Sequence, residues 1–173
     1  MKNKSFIPSS ALVTHPIEPF FDRDSRILIL GSFPSVQSRK DCFYYAHPRN
    51  RFWRVLSSVF NESIPSSVKE KMLFLSRHNI ALYDVVFSCR IHTSGDQSIR
   101  DVVPTDLRVI LDQCNIDCIV CNGKTAGRLY DKYHYPTTRI KAMILPSTSP
   151  ANASFSENSL RDAWRVIKNQ IRN

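Results

Sequence analysis

The chain has 173 residues, 42% hydrophobic and 23% charged, a balance that suits one folded domain with its own core and excludes a disordered polymer. Lysine and arginine number 24 against 15 aspartates and glutamates, a net charge of +9 that points to a polyanion partner, nucleic acid first. No apolar run approaches the ~20 residues that span a bilayer, and the opening MKNKSFIPSSALVTHP lacks the apolar stretch of a secretory signal. A cytoplasmic protein with reduced thiols is expected, nucleoid-associated in a prokaryote, despite five cysteines.

Residues 1–25 read as an irregular arm anchored by Phe20 and Phe21. Ile27 to Leu30 is an unbroken apolar run closed by Gly31, the pattern of a buried parallel strand. Asn50 to Phe60 reads as a helix with Phe52, Trp53, Leu56, Val59 and Phe60 on one side, and Pro65 to His78 as another. Ile80 to Phe87 is a second strand, followed by a loop over 88–104. Thr105 suits the N-cap of a helix through Leu111. Ile116 to Cys121 is a third strand, Gly123 opens a helix through Tyr133, and Ile140 to Leu145 is a fourth strand. The last helix follows Ser154-Phe-Ser-Glu157, a candidate capping box.

Strands alternating with helices predict a parallel, layered α/β domain over residues 1–173, with ligands bound where the chain leaves the carboxyl ends of the strands. Those exits are GSFPS, the 88–104 loop, NGKT and LPSTSPANAS.

Several motifs fail on inspection. Cys114, Cys118 and Cys121 have iron–sulfur spacing, but Cys118 and Cys121 lie three apart in a strand and face opposite sides. Gly123-Lys124-Thr125 ends like a phosphate loop, yet Cys118 stands where its first glycine belongs. The five histidines show no zinc spacing, and no G-x-S-x-G elbow is present.

Three stretches remain. Gly31-Ser-Phe-Pro-Ser35 is a rigid turn that lets backbone approach a ligand. Tyr44-Tyr-Ala-His-Pro-Arg-Asn-Arg-Phe-Trp53 crowds aromatic and basic side chains at a helix start. Pro146-Ser-Thr-Ser-Pro-Ala-Asn152 offers small hydroxyls between prolines, suited to phosphates. Together they resemble the uracil-DNA glycosylase superfamily, closest to its hypoxanthine-DNA (deoxyinosine) glycosylase branch, and the resemblance runs from about Ile27 to Trp164. Asn122-Gly-Lys-Thr-Ala-Gly127 and Ser94-Gly-Asp-Gln-Ser-Ile99 also fit that family.

The resemblance implies a three-layer α/β/α fold with a four-stranded parallel sheet and a monofunctional DNA glycosylase in base excision repair. Such an enzyme flips a deaminated base from damaged duplex or single-stranded DNA and hydrolyses its N-glycosidic bond. No metal, organic cofactor or membrane is implied, and a monomer is expected. The chain departs from many relatives in three places. The first loop carries no aspartate or asparagine, Ser35 replaces a frequent glycine, and Leu145 stands where uracil-specific relatives have histidine. In the hypoxanthine branch the catalytic role falls on the asparagine that maps to Asn50. Its amide is too weak a base to take a proton, but its carbonyl oxygen can accept a hydrogen bond from the attacking water. The competing role for Asn50 is a helix N-cap.

Gly31, Ser32, Phe33, Pro34, Tyr44, Tyr45, His47 and Asp84 are expected around the base. Phe33 and one of the two tyrosines should stack on it. His47 either meets the leaving base or a phosphate, or braces its turn, while Asp84 and Asp96 read the base edge or position water. Ser147, Thr148 and Ser149 should hold phosphates, with Arg49, Arg51 and Lys124 as further contacts. Asn152 to Phe155 is the expected wedge into the duplex, with Phe155 as plug. Two alternatives stay open, a uracil or thymine mismatch glycosylase and a nucleic-acid-binding module without catalysis.

Overall fold

A computed structural model of the chain describes residues 11–91 and 99–170. In chain order the elements are β1 (Ala11–Thr14), β2 (Ile27–Gly31), α1 (Val36–Asp41), α2 (Phe52–Phe60), α3 (Val68–Arg77), β3 (Ile80–Asp84), β4 (Val86–Ile91) and β5 (Ile99–Pro104). The chain continues through α4 (Arg108–Leu111), β6 (Cys118–Asn122), α5 (Lys124–Tyr133), α6 (Tyr135–Thr138), β7 (Met143–Leu145), α7 (Glu157–Trp164) and α8 (Val166–Asn169). No helix among the described residues is long and apolar enough to cross a membrane.

The central sheet has four strands in the order β3-β2-β6-β7, all parallel. Every residue of β2 and β3 is buried. Successive strand side chains point to opposite faces, so both faces are covered and the domain is three-layered, as expected. This is why Ile27-Leu-Ile-Leu30 is apolar without alternation. The strand ends fall level: Gly31 pairs with Asp84, Leu30 with Cys121, and Asn122 with Leu145. Side chains following these ends therefore converge at one edge of the sheet.

Two expectations about the strands are corrected. The run IALYDVVF is not one strand. It breaks at Val85, whose N–H donates to Gly31 O at 2.9 Å, while Val86 N–H donates to Ser32 O at 3.1 Å. The chain then turns into a second, antiparallel sheet of order β1-β4-β5. Most of the expected 88–104 loop is thus β4 and β5, and residues 92–98, with Asp96, lie outside the described residues. The arm is not irregular throughout either. Ala11 to Thr14 pairs with β4, from Ala11↔Ile91 to Thr14↔Ser88. A four-residue edge strand whose partner is remote in sequence carries no local signal.

Donors converge on the Val85 junction. Thr105, expected as a helix cap, instead gives its hydroxyl to Asp84 O at 2.7 Å and Val85 O at 3.2 Å. His134 meets Val85 O through Nε2 at 2.9 Å. Burial holds the His134 imidazole below its usual pKa, so its neutral form is the donor. The caps also differ in detail. Ser67 and Glu70 form the capping box of α3, Ser156 rather than Ser154 caps α7, and Ser35 caps the unforeseen α1.

Gly123 stands between β6 and α5 with φ +103°, and a Cβ there would lie 2.8 Å from Cβ of Ser147. Glycine is needed for both reasons. Gly123→Ala should therefore destabilise the chain by about 2 kcal/mol or more. A urea midpoint equal to the parent's would contradict that.

Candidate active site

The segment after β7 is irregular, so its shape depends on outside donors. One side chain supplies most of them. Arg51 N–H donates to Thr148 O at 3.0 Å. Its guanidinium donates through Nη2 to Ser149 O and Asn152 O, both at 2.8 Å, and through Nε to Thr148 O at 3.4 Å. Nη1 donates to the carbonyl of Phe155. The planar fork of arginine can serve several acceptors at once, which a lysine cannot. Arg51 was expected at DNA phosphates; its guanidinium is instead committed to this loop.

Asn50 and Thr148 join the same two segments. Asn50 Oδ1 accepts from Phe52 N–H and from the Thr148 hydroxyl, each at 3.0 Å. Thr148 Oγ1 accepts from Asn122 Nδ2 at 2.9 Å, and its N–H returns to Asn122 Oδ1 at 2.9 Å. The aromatic motif, the end of β6 and the last loop are thereby locked together. Two corrections follow. Thr148 is fully buried, so it holds protein and not phosphate. Both lone pairs of Asn50 Oδ1 are occupied, by the N–H of Phe52 and by the Thr148 hydroxyl; the N-cap of α2 is Arg51, so the expected cap role of Asn50 is not met. Only its Nδ2 hydrogens are left for a ligand.

The other half of the site lies over Gly31. A Cβ on Gly31 would meet Asp84 Oδ1 at 2.1 Å and Tyr45 Oη at 3.3 Å. Asp84 Oδ1 takes the room the missing side chain leaves, with Tyr45 Oη beside it. Asp84 is buried and bonded through Oδ2 to His15 Nε2 at 2.9 Å. Tyr45 stacks on Phe52, centroids 3.8 Å apart at 18°. Phe33 is half-buried; its ring meets His15 edge-on at 6.1 Å, and Arg39 lies 5.5 Å over it. Pro34 and Ser32 are buried in the turn, and Pro34 O accepts from Arg39.

Tyr44 and Tyr45 part company. Tyr45 has φ 54°, a left-handed conformation rare for a bulky residue. Its neighbour Tyr44 points into the core, 2% exposed, with its hydroxyl donating to Glu18 O at 2.9 Å. Burial pushes the Tyr44 phenol far above its usual pKa, keeping it a neutral donor. Tyr44 therefore belongs to the core and not to a base platform. Phe52 and Trp53 are core residues too, with Trp53 Nε1 donating to Tyr44 O at 3.2 Å.

His47 braces its turn: Nδ1 accepts from Arg49 N–H at 3.2 Å, and its carbonyl accepts from Asn50 N–H at 2.8 Å. Arg49 and Lys124 are exposed, Lys124 at the first turn of α5. Ser147 and Ser149 each accept a backbone N–H two residues on, at 3.2 and 3.3 Å. Asn152 braces the loop through Nδ2 to Ser147 O at 2.8 Å. Phe155, expected as the plug, is half-buried and packs against the core, because Arg51 draws its carbonyl inward. Pro150, Ala151, Ala153 and Ser154 are the exposed tip instead.

Two residues of the site escaped sequence reasoning. His15 sits in a segment read as an arm, 69 positions from its partner, with no spacing signal. Asn122 was quoted only as a strand end and as the first residue of a family-like stretch, with no role of its own. Asparagine after a buried strand, followed by a glycine, was the available clue.

Comparison with known proteins places this geometry in a family. The sequence profile of the uracil DNA glycosylase superfamily matches residues 18–168. The chain belongs to that superfamily. It is similar to hypoxanthine DNA glycosylases of Methanosarcina acetivorans, 34% identical, and Methanosarcina barkeri, 32% identical, each over 151 residues that cover 84% of this chain and 92% of the relative. A solution NMR structure from Methanosarcina acetivorans, described as a candidate uracil DNA glycosylase, superposes with a TM-score of 0.75 at 28% identity. That likeness covers 91% of this chain and 99% of the other.

Arg51→Lys keeps the charge but loses the fork. Global stability should fall by roughly 2–3 kcal/mol, with amides of residues 147–155 exchanging at least about tenfold faster in hydrogen-exchange mass spectrometry. Unchanged exchange there would show that the loop is held by other means.

Proposed function

We propose that this chain is a monofunctional DNA glycosylase of base excision repair that releases hypoxanthine from deoxyinosine. The observation that supports it most is the paired site at the carboxyl edge of the sheet. Asp84 and Tyr45, packed against Gly31 at the end of β2, stand with the Phe33 turn at the same sheet edge as the Asn50–Thr148–Asn122 lock. The similarity to two hypoxanthine DNA glycosylases points to the same substrate. The partner is DNA, met by a monomer with a net charge of +9.

A base inside a duplex is beyond the reach of water, so the nucleotide turns out of the stack at a cost of a few kcal/mol, least when it is mispaired. The turn at Gly31 receives the base, with Phe33 and Tyr45 as stacking surfaces worth roughly 1–3 kcal/mol per base. Ser147, Ser149, Arg49 and Lys124 hold neighbouring phosphates, which fixes the register of the sugar.

Bond breaking leaves a cation-like sugar that neutral water can attack. Asn50 places that water. Its Oδ1 is occupied, so Nδ2 donates to one lone pair of the water while the other faces C1′. No strong base is required, which accounts for a first loop without a carboxylate. The contribution is positional, on the order of 10²-fold or more.

A labelled duplex with one deoxyinosine, treated with the protein and then alkali, should break at that position. Binding without breakage would favour a non-catalytic module, and breakage only at deoxyuridine would favour the uracil-specific reading. Asn50→Ala should reduce single-turnover release by about 100-fold or more, measured below its melting temperature because the substitution also removes two hydrogen bonds worth about 1 kcal/mol each. Parental rates in that variant would remove Asn50 from the mechanism.

A further inference from the structure

Under the Gly31 turn lies a buried carboxylate with one oxygen unclaimed. Asp84 is 4% exposed. His15 takes its Oδ2, and Oδ1 has no hydrogen-bond partner among the described residues. Oδ1 lies 2.1 Å from the Cβ that Gly31 lacks, so it occupies the room glycine leaves at the end of β2. It is not among the fully buried unpartnered atoms of the described residues, so it keeps a little contact with solvent. A ligand that brings an N–H or O–H can take the place of water there.

His15 decides what that oxygen can do. Its Nδ1 accepts from Ile17 N–H at 3.1 Å, so Nδ1 carries a lone pair and the ring proton is on Nε2. Nε2–H therefore donates to Asp84 Oδ2. Three aromatic rings fix the imidazole: Tyr83 at 5.4 Å, Phe33 at 6.1 Å and Tyr44 at 6.3 Å. The donor on Oδ2 fixes which oxygen is left over, and Oδ1 of a carboxylate can only accept.

Deamination inverts two groups of a base: the exocyclic amine becomes a carbonyl, and the ring nitrogen beside it gains a hydrogen. Adenine N1 and cytosine N3 present lone pairs; hypoxanthine N1 and uracil N3 carry hydrogen. An oxygen that can only accept welcomes the second pair and repels the first. Position agrees. Asp84 ends β3 and Asn122 ends β6, with β2 between them, a separation of about 10 Å across two strand spacings. Asn50 is tied to the Asn122 side through Thr148. A nucleoside lying across β2 thus has its base edge at Asp84 and its sugar at Asn50.

We propose that His15 is the positioning residue for base selection: by holding Asp84 Oδ2 it makes Oδ1 an obligate acceptor for the lactam N–H that deamination creates. This rests on the glycosylase reading above. Guanine shares that N–H, and its exclusion rests on the cost of extruding it from a matched pair.

The test uses amide polarity. In Asp84→Asn, His15 Nε2–H still demands an oxygen, so the amide NH2 turns toward the base and opposes the lactam. Single-turnover release of hypoxanthine should fall at least about 100-fold, a loss of the size seen when a site's polar group is mismatched. Adding His15→Leu removes that demand and frees the amide to turn its oxygen to the base. The double variant should then release hypoxanthine at least about fivefold faster than Asp84→Asn, a coupling of opposite sign to simple damage. A double variant no faster than Asp84→Asn overturns the proposal, as does an Asp84→Asn protein with parental rates. Should leucine at 15 unfold the chain, binding decides. The parent should prefer duplex carrying hydrolysis-resistant 2′-fluoro-deoxyinosine over deoxyadenosine by at least about tenfold, and Asp84→Asn should lose that preference. An unchanged preference overturns the proposal. A parent that releases no hypoxanthine overturns the glycosylase reading, and this inference with it.

Discussion

The guanidinium of Arg51 reaches the carbonyls of Thr148, Ser149, Asn152 and Phe155. Those acceptors belong to a loop with no ladder of its own, so their hydrogen bonds must come from elsewhere. Because Arg51 stands at the start of α2, the shape of the last loop is set by the position of that helix. Phe52 and Trp53 anchor the helix in turn, through edge-on contacts between them at 5.0 Å and of Phe52 with Trp164 at 5.9 Å. Aromatic packing, helix start and loop form one unit, and Asn50 is carried in its middle.

The site has two halves with different supports. The Asn50 half is polar and over-determined, since Thr148 bonds to both Asn50 and Asn122. Groups held this way lose little freedom when they meet a sugar or water. The Asp84 half is built where two sheets diverge. Thr105 and His134 hold the Val85 junction, β1 continues into the His15 turn, and Gly31 makes room for the Asp84 carboxylate. Exposed tip residues of the last loop carry no such bracing, which suits a surface that meets a flexible polymer.

The parallel sheet was legible because its strands are apolar runs, three of them closed by glycine, asparagine or proline; β3 runs past Asp84 into β4 with no such stop, so the two read as one strand. The sites at the strand exits were legible for the same topological reason. What escaped depends on distance. Nothing in ALVTHP announces that His15 will meet Asp84, because a buried histidine has no local signature. Arg51 and Phe155 look like a phosphate contact and a wedge by residue type alone; only the hydrogen bond between them shows that both turn inward. Tyr44 and Tyr45 are identical in type and adjacent in sequence. A single left-handed backbone at Tyr45 sends one to the site and leaves the other in the core. Asn50 was read as either cap or catalyst; the N-cap of α2 is Arg51, and Asn50, one residue earlier, meets the Phe52 N–H through Oδ1, leaving the opposite end of the amide for chemistry.

The account stands or falls on where a flipped nucleotide lies. A crystal structure of the parent protein bound to duplex DNA containing 2′-fluoro-deoxyinosine tests this directly. The predicted result places hypoxanthine over Gly31, its N1 within hydrogen-bond distance of Asp84 Oδ1, and C1′ beside a water held by Asn50 Nδ2. An inosine still stacked in the duplex, or a base lodged away from the β2 edge with Asp84 and Asn50 untouched, would contradict it.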